Sequence, residues 1–372
     1  MSDYFSSFYI NYISFPKKGF FLALLFSIIL ISPKLVNSEI YLKKIGNDLE
    51  YPWGMDLIDK NTILVTQKTG KITKVNLKNE VFEEIKELPL IFFKGQGGLL
   101  DITIQKNNPH NTIIYFCNTV KKDGKVGIAI QRGILDSNDS KIVDLGIIFE
   151  SNHYSNSSKH FGCRLIIKNN NLYASLGDRG KRDTAQNQND DSGSIIEINL
   201  DNLEKSKNSY QIYSMGHRNP QGLTINPFNN QIWSHEHGPR GGDEINIIKK
   251  GSNYGWPIIT SGEEYFGGKI GIGSFSPDYE SPVWTWIPSI APSGMAFYNG
   301  NMFADFKGHL LVGSLKFKSL YLVRLRNNLP YDEEIIFQNK IGRIRDVEVG
   351  WDGSIYLLTD EKNGGLFKLY KN

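Results

Sequence analysis

Apolar and polar residues alternate along most of the chain with a period near two, so the pattern predicts short half-buried strands and no sustained amphipathic helix. One unit recurs: an alternating apolar strand, a polar Asn/Asp/Gly turn, and a second apolar strand ending in small or hydroxyl residues. It runs through Gly54–Ile58, Asp59-Lys60-Asn61 and Ile63–Thr66, and returns as Leu100–Ile104 with Ile113–Phe116. Further copies are Arg164–Ile167 with Leu172–Leu176, Gly222–Ile225 with Gln231–Ser234, Gly294–Tyr298 with His309–Gly313, and Asp346–Val349 with Ile355–Thr359. Six copies over residues 39–372 allow roughly 55 residues each, the span of a four-stranded propeller blade with its loops. A β-sandwich leaves six similar hairpins unexplained, and β-helix repeats are shorter. The expected fold is therefore all-β, a single six-bladed β-propeller of four-stranded antiparallel blades over 39–372, with loops from separate blades converging on one face.

Residues 1–38 read differently. A mixed segment ends in Pro16-Lys17-Lys18, the nearly uncharged run Gly19–Ile31 follows, and Val36-Asn37-Ser38 supplies small to modest residues. The run falls short of the roughly 20 residues that cross a bilayer as a helix. Basic, apolar, small is the order of a secretory signal peptide. Export to the periplasm or medium is expected, with the mature chain starting near Glu39; the alternative is the same segment retained as an anchor.

A hydrophobic share of 40% with 22% charged residues excludes wholesale disorder. With 42 Lys+Arg against 39 Asp+Glu, the net charge of +3 gives no global field for nucleic acid or anionic lipid. Cys117 and Cys163 are too few for a disulfide framework or a Cys-based zinc site. Each lies in an apolar strand-like run, so a disulfide in an oxidising compartment and buried free thiols both stay open.

The chemistry sits in the connections between hairpins. Gly95-Gln96-Gly97-Gly98 lets backbone approach a ligand closely and presents one amide. Lys159-His160-Phe161-Gly162-Cys163-Arg164 places a histidine at a strand start, where it can abstract a proton near neutral pH. Gly216-His217-Arg218-Asn219-Pro220-Gln221-Gly222 offers a guanidinium fork suited to carboxylate or phosphate. His235-Glu236-His237 has the residue types of a zinc site but no open three-ligand face at that spacing. Carbonyls near Gly238-Pro239, with Asp243 and Glu244, suit calcium better. Ser289, Lys316 and the pair Arg343/Arg345 follow late in the chain; arginines two apart on a strand share a face. With Arg218 and Lys316 they form a basic patch that calls for a small polyanionic partner.

Together these motifs resemble the soluble aldose sugar dehydrogenases and related soluble glucose dehydrogenases, six-bladed quinoproteins using pyrroloquinoline quinone (PQQ) and Ca2+. The resemblance runs from Tyr51-Pro52-Trp53-Gly54 to Thr359-Asp360-Glu361. Its most specific pieces are Gly216–Gly222, Glu236–Glu244 with Asn253–Pro257, and Arg343-Ile344-Arg345-Asp346-Val347. It implies His160 as general base and Gln96, Arg218, Asn219, Ser289, Lys316, Arg343 and Arg345 as quinone contacts. It further implies calcium held by the Gly238 and Pro239 carbonyls, and a second calcium at Glu244 and Tyr254, with Asp243 as a weaker candidate. The implied reaction oxidises an aldose at its anomeric carbon to the lactone, with an external electron acceptor. Lys159 and Phe161 depart from the glucose-specific pattern and point toward the broader aldose branch. A calcium-dependent propeller lactonase and a non-catalytic secreted binding propeller are the alternatives; the first needs no wide basic patch, and the second has no need for His160. Monomer and homodimer stay open.

Overall fold

The structure is a computed structural model and describes residues 39–105, 112–136, 140–203 and 209–371. The expected signal segment lies outside these residues. Among them, no helix is long and apolar enough to cross a membrane.

Six four-stranded antiparallel sheets make up the described chain, with three short 3-10 turns as its helices. Every recurring hairpin forms the inner half of one blade. The innermost strands are Pro52–Asp59, Leu99–Gln105, Gly162–Lys168, Pro220–Ile225, Pro292–Phe297 and Ile344–Val349. Their partners are Thr62–Gln67, Thr112–Lys122, Asn171–Leu176, Ile232–Glu236, Leu310–Ser314 and Ile355–Thr359. Neighbouring blades cover both faces of these strands, which is why they read as near-continuous apolar runs; Asn171–Leu176 and Ile355–Thr359 are almost wholly buried. Trp233 meets Phe297 edge-on at 5.3 Å across one such seam.

The ring closes by joining the two ends of the chain. Ile40–Leu49 pairs antiparallel with Gly364–Lys371 (Ile40 opposite Lys371, Ile45 opposite Leu366), so the first strand becomes the outer strand of the last blade. Inside, acidic side chains tie three of the inner strands to the next. Asp56 Oδ2 accepts the Ile104 amide (2.8 Å), Asp101 Oδ2 that of Leu165 (2.8 Å), and Asp346 Oδ2 that of Met55 (2.9 Å). Arg164 fills the centre, its Nη1 3.1 Å from Asp101 Oδ1 and 2.8 Å from Asp346 Oδ1, and its guanidinium 4.3 Å from the Trp53 ring centre. This buried ion cluster plugs the channel and leaves one cavity at each mouth.

Cys117 and Cys163, both fully buried, form a disulfide with Cα atoms 5.9 Å apart, linking the second blade to the inner strand of the third. It closes a loop of 46 residues. Replacing both cysteines by alanine is expected to remove about 4 kcal/mol of stability on the loop-entropy relation. Chemical denaturation measures this directly, and an unchanged midpoint would contradict it.

Candidate active site

The first site element is the turn preceding the third blade's inner strand. His160 (φ 55°), Gly162 (φ 67°) and Cys163 (φ 79°) all take left-handed backbone, and for the two side-chain-bearing residues this costs free energy that surrounding contacts must offset. The His160 amide donates to Gln96 Oε1 (2.7 Å) and its carbonyl accepts the Arg179 amide (3.3 Å). Gly177 packs so closely here that a β-carbon would strike the His160 carbonyl, so only glycine fits. The buried Arg179 guanidinium lies 3.5 Å from the Phe161 ring centre, and it donates to the carbonyls of Lys159 (2.5 Å) and Ser157 (2.7 Å).

The His160 ring has a defined polarity. Nδ1 lies 2.7 Å from Asp178 Oδ1, and Asp178 Oδ2 accepts the indole N–H of Trp256 (2.9 Å). A carboxylate opposite Nδ1 keeps the proton there and leaves the Nε2 lone pair free. Burial is the main influence on the imidazole and lowers its pKa below 6.5; the hydrogen bond it donates to Asp178 opposes this, while Arg218 and Lys159 add to the lowering. The ring is therefore neutral at pH 7. Because protonation destroys the base, kcat/KM is expected to fall as pH drops through a value below 6.5. Asp178→Asn removes an influence that raises the pKa, so the acid limb should move lower still, with a rate loss of about 10²-fold or more from the lost tautomer. A pH–rate profile in which the variant's limb moves upward would contradict this assignment.

Next to this turn lies a cavity of about 610 Å³, lined by the adjoining Phe161 and Gly162 but not by His160 itself. Gln96 comes to it from before the second blade, Asn219 from the start of the fourth, Lys316 from the fifth, and Arg343 and Arg345 from the sixth; Lys68 of the first blade, His237 and Asp360 complete its polar lining. A hydrogen-bond chain spans its floor, from Arg345 Nη1 to Gln221 Oε1 (3.0 Å), Gln221 Nε2 to Asn219 Oδ1 (3.2 Å), and the Gly162 amide to the same Asn219 oxygen (3.3 Å). Charge is unbalanced. Asp360 is 2.9 Å from Lys68, 2.8 Å from Arg345 and 3.7 Å from Arg343, so one carboxylate serves three cations. Burial lowers the pKa of Lys68 and of Arg345; the cations in turn hold Asp360 far below the usual carboxylate range even though its own burial pushes it up. Crowded, partly desolvated cations favour an anionic ligand. The opposite mouth is larger, about 890 Å³, but its charged lining is Asp56, Asp101, Asp346, Glu348 and Asp352 against Arg164 alone, an arrangement that repels a polyanion.

Arg218 stands next door. Its Nη1 donates to the His237 carbonyl (3.0 Å) and it faces Trp256 at 5.4 Å. With His237, Gly238, Glu244 and Tyr254 it lines a second pocket of about 10 Å³, enough for one ion or water. The carbonyls of Gly238 and Pro239 accept no hydrogen bond among the described residues, an arrangement that suits a hard cation. Glu244 sits directly across the strands from Glu236, and burial together with that like charge pushes its pKa up to about 8. A divalent cation would relieve both. The Tyr254 hydroxyl instead donates to the Ile247 carbonyl (2.6 Å), and Asp243 is committed to the amides of Gly238 and Ala291 (2.8 Å each). Ser289 does not line the main cavity; its carbonyl accepts Lys316 Nζ (3.0 Å) and its buried hydroxyl has no hydrogen-bond partner among the described residues. No cluster of three His, Cys, Asp or Glu side chains among the described residues forms a metal cage, so a cation here would depend on main-chain oxygens.

Sequence reasoning missed Asp178, Trp256, Lys68, Asp360 and His237 as site residues. Asp178 sits in Gly177-Asp178-Arg179-Gly180, which reads as an ordinary turn. His237 was visible only in the His-Glu-His string, whose first member is a buried core ring against Gly222.

Comparison with known proteins places this geometry among relatives. Residues 49–368 match the family model described as glucose/sorbosone dehydrogenase. The aldose sugar dehydrogenase YliI of Escherichia coli is 35% identical over 369 residues, covering 95% of this chain and 98% of that protein. Quinoprotein glucose dehydrogenase B of Acinetobacter calcoaceticus is 28% identical over 401 residues, covering 83% and 82%. The solved apo-form of the soluble aldose sugar dehydrogenase of Escherichia coli superposes with a TM-score of 0.82 at 33% identity, over 90% of this chain and all of that one.

Proposed function

The chain belongs to the glucose/sorbosone dehydrogenase family, and from that premise we propose that it is a PQQ- and calcium-dependent aldose sugar dehydrogenase that oxidises the anomeric carbon to the lactone. The observation that carries this reading is the gathering of Lys68, Lys316, Arg343 and Arg345 at one cavity with Asp360 as their shared carboxylate, beside a neutral histidine. A tricarboxylated quinone supplies the missing negative charge.

Gln96, Arg218, Asn219, Lys316, Arg343 and Arg345 would hold the quinone, with Ser289 acting on it through its contact with Lys316. The free carbonyls of Gly238 and Pro239 would hold the cofactor-linked calcium, and Glu244 with the main chain of Tyr254 a second ion. The chemistry such a bound quinone would supply is a two-electron hydride acceptor, and that of calcium a Lewis acid beside it. His160 Nε2 takes the proton of the anomeric hydroxyl as hydride leaves that carbon. Asp178 stabilises the imidazolium so formed, as in other carboxylate–histidine pairs. The cation set orients the cofactor, and Trp256 holds the second oxygen of Asp178 in place. A hydrolase using the same calcium ligands has no role for the arginine and lysine set. The disulfide supports an oxidising compartment and hence export by residues 1–38.

The test is reconstitution. Apo-protein given PQQ and calcium should reduce an artificial dye with aldoses and should do neither without the quinone nor with a chelator present. Absence of activity with every sugar and alcohol in a panel would overturn the proposal.

A further inference from the structure

We propose that a lysine cluster beside the cavity mouth is the docking surface for an acidic, one-electron redox protein that collects electrons from this enzyme. This rests on the reading above, which leaves the electron acceptor open. Three connections meet there. The turn after the second strand of the fifth blade carries Lys316, which lines the cavity, and Lys318, whose carbonyl accepts the Asn339 amide (2.9 Å) and so brings Lys340 alongside. Arg343 reaches the Leu315 carbonyl with Nη1 (3.5 Å), while its amide donates to Glu361 Oε1 (3.3 Å), next to Lys362. Lys316, Lys318, Lys340, Arg343 and Lys362 are all exposed. No salt bridge engages any of the four lysines among the described residues. Of the two acids nearby, Asp360 is committed to the cavity cations and Glu361 to the Arg343 amide.

Such a cluster is unusual on a chain whose net charge is only +3, so it is a local feature and not a consequence of overall basicity. An apolar element adjoins it: exposed Phe93 packs on Tyr51 at 5.7 Å, and the Tyr51 amide donates to the Glu361 carbonyl (2.9 Å). A small aromatic contact rimmed by one sign of charge suits a short-lived, electrostatically steered protein encounter. Its place decides the occupant. The cluster grows from the same loops that line the cofactor cavity, so a carrier seated on it stands as close to the electron source as a protein can come. A lipid or nucleic-acid surface would gain nothing from that position. Per aldose oxidised to lactone, two electrons leave; two one-electron carriers are each reduced once, and the two protons pass to water.

The experiment uses reconstituted enzyme and the variant Lys318→Glu/Lys340→Glu/Lys362→Glu, which leaves the cavity residues untouched. Probes are an acidic bacterial cytochrome c, basic horse-heart cytochrome c, a small dye, and anionic phosphatidylglycerol vesicles. Wild type should reduce the acidic cytochrome at a rate that falls steeply with ionic strength. The variant should lose about 10²-fold at low salt, within the range electrostatic steering provides, and lose that salt dependence. Dye reduction should not change, and apo-protein should bind the acidic cytochrome at low salt only when the lysines are present. Equal rates with the acidic cytochrome, preference for the basic one, or lysine-dependent binding to vesicles alone would overturn the docking surface. Loss of dye reduction in the variant would do the same, by showing that the substitutions act on the site itself. If wild type reduces no dye, the catalytic reading fails, and binding of the acidic cytochrome to apo-protein still decides the surface independently.

Discussion

Replacing His160 by alanine should lower kcat by about 10²–10⁴-fold, the usual contribution of a general base, while PQQ binding to the apo-protein stays within a few-fold of wild type. The separation follows from geometry. The His160 side chain is held by Asp178, and the cavity's charged lining comes from other blades, so truncation removes the proton acceptor without removing a cation. Asp178 would lose its ring partner but keep the Trp256 indole and the Gly180 amide (2.6 Å), which limits collateral disorder. Raising the pH should not rescue the variant, since among the described residues no other neutral imidazole is placed to substitute: His237, with burial pushing its pKa down to about 3, has Nε2 on the Pro292 carbonyl at 2.7 Å. Retained turnover would show that the base is misassigned.

Arg345→Ala should act on the opposite quantity. Arg345 is buried, is 2.8 Å from Asp360 and donates to Gln221, so its removal deletes a cavity-lining cation and leaves the floor of the cavity with one fewer brace. Truncating one member of a buried, hydrogen-bonded charge set costs about 2–5 kcal/mol in affinity, or roughly 30- to 5,000-fold in Kd. The loss should appear in PQQ binding, measured by equilibrium dialysis, with kcat at saturating cofactor changed much less. Arg343→Ala, at the exposed rim, should lose less than Arg345→Ala because solvent screens it. Equal PQQ affinity in wild type and Arg345→Ala would count against the cation set as the cofactor's seat.

The inner hairpins were legible because burial on both faces writes itself into sequence as apolar runs. The outer strands were not: Trp284–Trp286 is only three residues long, and a connection spanning 249–283 precedes it, while Ile40–Leu49 is largely exposed and gains its partner from the far end of the chain. The same contrast governs the site. His160, Gln96, Arg218, Asn219 and the late cations stood out because their motifs recur in a known family's order. Lys68 and Asp360 sit at ordinary turn positions and acquire meaning only when the ring brings the first and sixth blades together. The pairing of Cys117 with Cys163 likewise depends on which blades adjoin, a fact that their separation along the chain does not contain.

The central claim is that cations from separate blades seat a polyanionic quinone beside His160. A crystal structure of the protein soaked with PQQ and calcium tests it most directly. The account predicts quinone density in the 610 Å³ cavity, with its carboxylates among Lys316, Arg343 and Arg345 and a metal ion at the Gly238 and Pro239 carbonyls. Quinone bound instead in the acidic cavity at the other mouth, or a cavity still empty under saturating PQQ, would contradict it.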